Sequence, residues 1–93
     1  MEDQYKPVRN NDVIWREIDG ETAIISSDNK KMMILNDVGS RMWNLMDGKS
    51  TLAAIASLIA GEYGVSEEMV KQDIMEYAAE LERQRLIEEN RDG

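Results

Sequence analysis

Short runs of β-branched and other apolar residues, separated by turn residues, occupy the first third of the chain. Residues 13–18 form the first run and end at Asp19-Gly20, a dipeptide typical of two-residue hairpin turns. Residues 22–27 form the second run and residues 30–35 the third. Because the connections are short, the pattern predicts a three-stranded antiparallel meander, with its third strand a candidate edge.

From residue 36 onwards, apolar residues recur at three- and four-residue steps, which is the period of a helix. The pattern predicts three helices. Their candidate N-cap residues are Asn36, Ser50 or Thr51, and Ser66. Glycines that can end the first and second helices are Gly48 and either Gly61 or Gly64. The third helix is the longest and is predicted to run to about residue 86.

The predicted elements form one α+β domain over residues 13–88. A three-stranded antiparallel sheet followed by three helices resembles a winged helix, in which one sheet face and the helix seams share a core. Residues 1–12 contain the single proline, Pro7, and few apolar anchors, so we expect an extended N-terminal arm there. Residues 89–93 are expected to form a polar C-terminal tail.

Composition excludes several kinds of chemistry. The chain has 93 residues, of which 42% are hydrophobic and 32% charged, as expected for a small globular domain. Because it contains no histidine and no cysteine, it can form no disulfide, no thiolate nucleophile, no Cys/His zinc site and no imidazole base. We expect no cofactor. The acidic N-terminus and the short apolar runs predict a cytoplasmic protein that does not enter a membrane.

The net charge of −8 bears on partners. Residues 51–93 carry four basic and ten acidic side chains, a net charge of −6. Nucleic-acid affinity depends on Lys and Arg contacts with phosphates, so this half of the chain would repel a nucleic acid.

The acidic residues of the third predicted helix include a candidate metal or acid–base site. Glu76 and Glu80 lie one turn apart, and Asp73 lies on the preceding turn. With 19 acidic residues in a short chain, however, such spacings arise by chance. A solvated helix face is therefore the favoured interpretation. Met42 and Met46 have the spacing of a core helix face and are interpreted as core-filling residues.

The third predicted strand is apolar on both faces. Met32 and Met33 point to opposite sides of the sheet, so one of them faces away from the core unless something else covers it. An uncovered apolar edge strand is an aggregation hazard, and proteins that keep one often use it to bind a partner. Adding a peptide strand to such an edge is an established mode of recognition.

One run of residues resembles a known family. The positions that carry the resemblance are Leu35-Asn36, Gly39, Met42-Trp43, Leu45, Asp47-Gly48, Thr51, Ile55, Leu58, Tyr63, Val70, Asp73-Ile74, Leu81 and Leu86-Ile87. This pattern, over about residues 8–88, resembles the pyrroloquinoline-quinone biosynthesis protein D family (PqqD-like). Two positions depart from it: Met42 stands where the family usually has Ile, and Arg85 where Gly commonly precedes the final Leu. Because of the second departure, we expect the last helix to end differently from that of the family.

The resemblance implies a non-enzymatic peptide-binding module, also called a RiPP recognition element. Members bind the leader segment of a ribosomally made precursor peptide and present it to a modifying enzyme, often a radical SAM enzyme. The leader adds as a strand beside the third strand and packs against the third helix. By position, the implied contact residues are Lys30, Lys31, Met32, Met33, Ile34, Leu35, Val70, Asp73, Ile74 and Tyr77. Val70, Ile74 and Tyr77 also lie on the seam predicted to face the core.

Several alternatives stay open at this point. A winged-helix-like regulator would act through DNA or a protein partner, and the negative charge weighs against DNA. A small enzyme or metal protein would rely on carboxylates. Lys30 and Lys31 either attract an acidic leader or protect an exposed edge from aggregation. The protein is a monomer or a homodimer, because an uncapped edge strand can also pair with a second copy.

Overall fold

The structure, a computed structural model, describes residues 1–25 and 32–91. Its elements, in chain order, are β1 (Pro7–Arg9), β2 (Ile14–Ile18), β3 (Glu21–Ile25), β4 (Met32–Leu35), α1 (Asp37–Leu45), α2 (Leu52–Tyr63), α3 (Glu67–Arg83) and β5 (Ile87–Glu89). Strands β2, β3 and β4 form an antiparallel sheet in that order, while β1 pairs with β5 separately. The predicted α+β fold, a three-stranded antiparallel sheet followed by three helices, is confirmed.

The hairpin between β2 and β3 turns at Asp19-Gly20, as predicted. Both residues have positive φ, 52° and 84°, as a type I′ turn requires. The third predicted strand is β4, which has β3 as its one neighbour among the described strands and so lies at an edge of the sheet. Residues 26–31, which include the end of the second predicted strand and the start of the third, lie outside the described part of the chain.

Each helix begins at a side chain that accepts a hydrogen bond from the first turn. Asn36 accepts one from the Gly39 N–H, and Thr51 and Ser66 do the same for α2 and α3. These caps satisfy N–H groups that have no partner within the helix. At the other end of α2, Gly64 adopts the left-handed conformation with φ of 66°. The predicted caps at these positions are confirmed.

The third helix is shorter than predicted, because α3 ends at Arg83. Arg85 takes a left-handed φ of 63°. Its N–H donates to the Glu82 carbonyl and the Leu86 N–H donates to the Leu81 carbonyl, both at 2.9 Å. This pair of hydrogen bonds is a Schellman motif, which turns the chain out of the helix and directs it into β5.

The described parts of the expected arm and tail contain more regular structure than expected. Residues 7–9 of the expected arm form β1, which pairs with β5, so that Glu89 of the expected tail also belongs to a strand. Tyr5 is buried, and its hydroxyl donates to the Glu82 carboxylate of α3 at 2.7 Å. Pro7 stands first in its strand, where the lack of an N–H is tolerated. The apolar side chains of the arm therefore pack against the domain.

The core lies between one face of the β2–β4 sheet and the three helices. Trp43 of α1 is fully buried, and the Trp15 ring meets it edge to face with centroids 6.0 Å apart. Met42 and Met46 are buried as predicted for core-filling residues. The opposite, outer face of the sheet has no covering element among the described residues. Its exposed apolar side chains are Ile14, Ile18, Met32 and Ile34.

Candidate functional site

An apolar groove lies where the end of β4, the first turns of α1 and the middle of α3 meet. Its volume is about 340 Å³. The residues that line it are Ile34, Leu35, Asn36, Val38, Gly39, Met42, Asp73 and Tyr77. Because β4 pairs only with β3 among the described strands, the groove lies beside a strand edge that has no partner in residues 1–25 and 32–91. We refer to this set of eight residues as the β4–α3 groove.

Strand alternation divides the β4 residues between the two faces of the sheet. Leu35 is buried and Met33 is half-buried against the core, whereas Met32 and Ile34 are exposed on the outer face. Ile34 also reaches the groove from its edge position. The side chains of a strand added beside β4 would be cross-strand neighbours of both the inward-facing and the outward-facing β4 residues. Lys30 and Lys31, the other predicted strand residues, lie outside the described residues.

The four α3 residues implied by the family resemblance separate into two pairs. Asp73 and Tyr77 line the groove. Val70 and Ile74 are 6% and 0% exposed and belong to the core. Their burial follows from the apolar seam on which they lie, and it closes them off from a ligand at the surface. The structure therefore brings Ile34, Leu35 and the first pair together, whereas Val70 and Ile74 lie in the core.

Sequence reasoning missed the contribution of α1 to the groove. Asn36 was interpreted as a helix cap and Met42 as core, while Val38 and Gly39 were assigned no binding role. A signal was present: Val38 and Met42 lie one turn apart on a helix that starts directly after the edge strand. A helix face so close to a strand end must pack beside it, and therefore borders whatever lies along that edge.

Hydrogen bonds hold the walls of the groove in place. The Tyr77 hydroxyl donates to the Gly39 carbonyl at 3.3 Å, and Asn36 accepts from the Gly39 N–H at 2.8 Å. Burial raises the pKa of Tyr77, so its hydroxyl remains protonated and able to donate at neutral pH. Behind the groove, Thr22 of β3 donates to the Ser40 hydroxyl at 2.7 Å. The elements that form the groove are thus fastened to one another.

The chemical character of the groove is that of a binding surface for an extended chain. It offers an unpaired strand edge, an apolar floor and one carboxylate, that of Asp73. Within residues 1–25 and 32–91, no three acidic side chains lie close enough together to hold a metal ion. In the same residues, no helix is both long and apolar enough to cross a membrane.

Comparisons with known proteins agree with this geometry. A solved structure described as "TbiB1 in Complex with the TbiA(beta) Leader Peptide" is similar to this chain, with a TM-score of 0.79 and 26% sequence identity. The similarity covers 91% of this chain and 99% of that one. No curated protein matches the sequence. The family model described as "Coenzyme PQQ synthesis protein D (PqqD)" matches residues 21–87. The chain therefore belongs to the PqqD family.

Proposed function

We propose that this protein is a peptide chaperone that binds the leader segment of a ribosomally made precursor peptide by strand addition to β4. In this proposal the leader lies along the free edge of β4, with alternate side chains in the β4–α3 groove. The observation that carries the proposal is the groove itself: in a PqqD-family chain, an edge strand borders an apolar channel formed by α1 and α3. The similar structure of TbiB1 in complex with the TbiA(beta) leader peptide supports it.

The energetics of strand addition indicate where specificity arises. Ordering each leader residue costs about 1–2 kcal/mol of backbone entropy, whereas each strand hydrogen bond contributes only about 0.5–1.5 kcal/mol. Backbone pairing alone is therefore unfavourable or at best neutral. Each well-buried apolar side chain adds about 1.5–3 kcal/mol. Three anchors near the upper end of this range add about 9 kcal/mol, so micromolar binding, which requires about −8 kcal/mol, needs anchors that fit the groove well.

The partner that receives the bound leader is a modifying enzyme, and a radical SAM enzyme is the class that the family resemblance favours. The protein itself would act by binding and presentation, without catalysis and without a cofactor, in the cytoplasm. The product, pyrroloquinoline quinone or another modified peptide, is decided by the precursor and the enzyme rather than by the groove.

The experiment uses the outer face of the sheet to compare its two edge strands. Met32→Glu with Ile34→Glu alters β4, whose side chains are 68% and 55% exposed. The matched control, Ile14→Glu with Ile18→Glu, alters the opposite edge strand β2, where exposure is 59% and 62%. Binding of a fluorescent leader peptide, taken from a precursor encoded beside the gene, is followed by anisotropy.

We expect the β4 variant to bind about tenfold or more weakly, since two charges would stand beside the apolar side chains of the added strand. The β2 variant should bind like the wild type. Far-ultraviolet circular dichroism establishes that both variants keep their helix content. Equal binding by a folded β4 variant, or equal losses in both variants, would contradict strand addition at β4.

A further inference from the structure

The β4–α3 groove contains one charged side chain, and two other polar atoms in its lining, the Tyr77 hydroxyl and Asn36 Oδ1, have partners within the protein. The Tyr77 hydroxyl is occupied by Gly39, and the Asn36 side chain by the helix cap. Asp73 is exposed at the wall and has no hydrogen bond or ion pair to any described residue. An apolar channel with a single unpaired carboxylate at its wall fits a particular kind of side chain.

We propose that the groove recognises a lysine or arginine of the leader, whose aliphatic stem lies on the apolar floor and whose cationic end pairs with Asp73. This inference rests on the proposed function and specifies one leader position. In a strand added beside β4, every second side chain points to the α3 side, so one of them enters the groove. The apolar side chains of Leu35, Val38 and Met42 line the same groove as the Asp73 carboxylate.

Long basic side chains suit this arrangement because they bury their methylene groups along apolar surface while the charged end stays near water. A purely apolar side chain would use only the apolar surface of the groove, and a short basic side chain would use only the carboxylate. A cation is favoured over a neutral donor because opposite charges add Coulomb attraction to the hydrogen bond with the carboxylate.

The surrounding charge acts in the same direction. Glu76 and Glu80 follow Asp73 along α3, and although Glu80 is paired with Arg83, Glu76 has no partner among the described residues. Residues 51–93, which include α3, carry a net charge of −6. A negative potential of this kind steers a cationic peptide towards the groove and raises its association rate, in a manner that salt weakens.

The test is a double-mutant cycle that combines a change in the protein with changes in the leader. In the protein, Asp73→Asn keeps the shape of the side chain and removes its charge. The probe is the synthetic leader peptide of the neighbouring precursor, together with versions in which each Lys or Arg is replaced in turn by Gln. The control is Glu76→Gln, which removes the same charge from the same helix but at a residue outside the groove. Thermal unfolding confirms that each variant is folded.

We expect Asp73→Asn to weaken binding of the natural leader about fivefold, the upper end for an exposed ion pair. One of the leader substitutions should weaken binding to the wild type by the same factor. The same substitution should not weaken binding to Asp73→Asn any further. The pair Asp73→Lys with a leader Glu at that position should recover binding. Glu76→Gln should bind within about twofold of the wild type, because Glu76 lies outside the groove and an exposed carboxylate that does not contact the leader cation contributes little.

Two kinds of failure are distinguishable. If the wild type binds the leader and Asp73→Asn binds it equally well, or if the coupled leader residue is neutral, the inference about a cation is overturned and the proposed function stands. If no leader binds the wild type, the proposed function and this inference fall together.

Discussion

The hydroxyl of Tyr77 donates to the carbonyl of Gly39 and thereby joins the middle of α3 to the first turn of α1. At 3.3 Å the bond is long for a hydroxyl donor, which prefers about 2.7–2.8 Å. Both residues line the β4–α3 groove. The tyrosine therefore has two roles, since its ring supplies apolar surface and its hydroxyl fixes the spacing of the walls.

Replacing Tyr77 by phenylalanine separates these roles. We expect Tyr77→Phe to lower the free energy of unfolding by about 0.5 kcal/mol, the lower end for one hydrogen bond, because the bond is long. Leader affinity should change by less than about twofold, since a single poor hydrogen bond carries little energy. Tyr77→Ala, which removes the ring, should cost about 3–5 kcal/mol of stability, as for other large aromatic truncations. Urea denaturation measures both values, and a Phe variant as unstable as the Ala variant would contradict this account.

The buried pair Thr22 and Ser40 links the sheet to α1. Thr22 donates to the Ser40 hydroxyl, and Ser40 donates to the Leu35 carbonyl at 3.3 Å. Because Ser40→Ala leaves the Thr22 hydroxyl without its acceptor in the core, we expect a loss of about 1–3 kcal/mol of stability. Thr22→Val combined with Ser40→Ala removes both hydroxyls, so it should cost less than the two single changes together. Strictly additive losses would show that the two hydroxyls are not coupled.

Arg85 lies in the left-handed conformation that ends α3. For a residue with a β-carbon this costs about 1–2 kcal/mol, and the extra freedom of glycine in the unfolded chain takes back about 0.5–1 kcal/mol. Arg85→Gly should therefore raise the free energy of unfolding by about 0.5–1 kcal/mol. Arg85→Ala is the control, because it removes the charge and keeps the β-carbon. An equal gain from both substitutions would assign the effect to the arginine side chain instead of the backbone.

Two tyrosines make the free energy of unfolding depend on pH in the alkaline range. Burial raises the pKa of Tyr5 and of Tyr77, and the Glu82 carboxylate that accepts the Tyr5 hydroxyl raises the first further. In the unfolded chain both ionise near pH 10, so above that pH the unfolded state binds fewer protons than the folded one. This contribution to stability is complete below about pH 10 and is lost as the pH rises towards the folded-state pKa values.

Urea denaturation at pH 8.5 and at pH 11 measures the loss. The variant Tyr5→Phe with Tyr77→Phe should lose less stability between the two pH values than the wild type. Tyr63→Phe is the control, because Tyr63 is exposed at the end of α2. If the double variant shows the same pH dependence as the wild type, other groups are responsible for the alkaline loss.

Features encoded by local chemistry were predictable from the sequence. The caps at Asn36, Thr51 and Ser66 and the turn at Asp19-Gly20 each depend on a few adjacent residues, and the structure has all four. The end of α3 was not predictable in this way. The apolar period continues through Leu86, and the residue that turns the chain is an arginine where a glycine would have given the signal.

Features that depend on distant parts of the chain were missed. Strands β1 and β5 have three residues each and lie at opposite ends of the chain, so neither shows an alternation that a pattern could detect. The groove was half predicted: β4 and α3 followed from the family resemblance, but the side formed by α1 required the packing of three elements. Val70 and Ile74 show the converse, since their apolar spacing predicted burial and the structure confirms it.

The most direct test of the central claim is an NMR titration of the ¹⁵N-labelled protein with the leader peptide. We expect saturable amide shifts in β4, in the first turns of α1 and around residues 73–77, with little change in β2. The β4 amides should also become protected from hydrogen exchange, because pairing with an added strand occupies its open edge. No shifts at about 1 mM peptide, where even weak binding is visible, shifts centred on β2, or identical shifts with a scrambled leader would contradict the account.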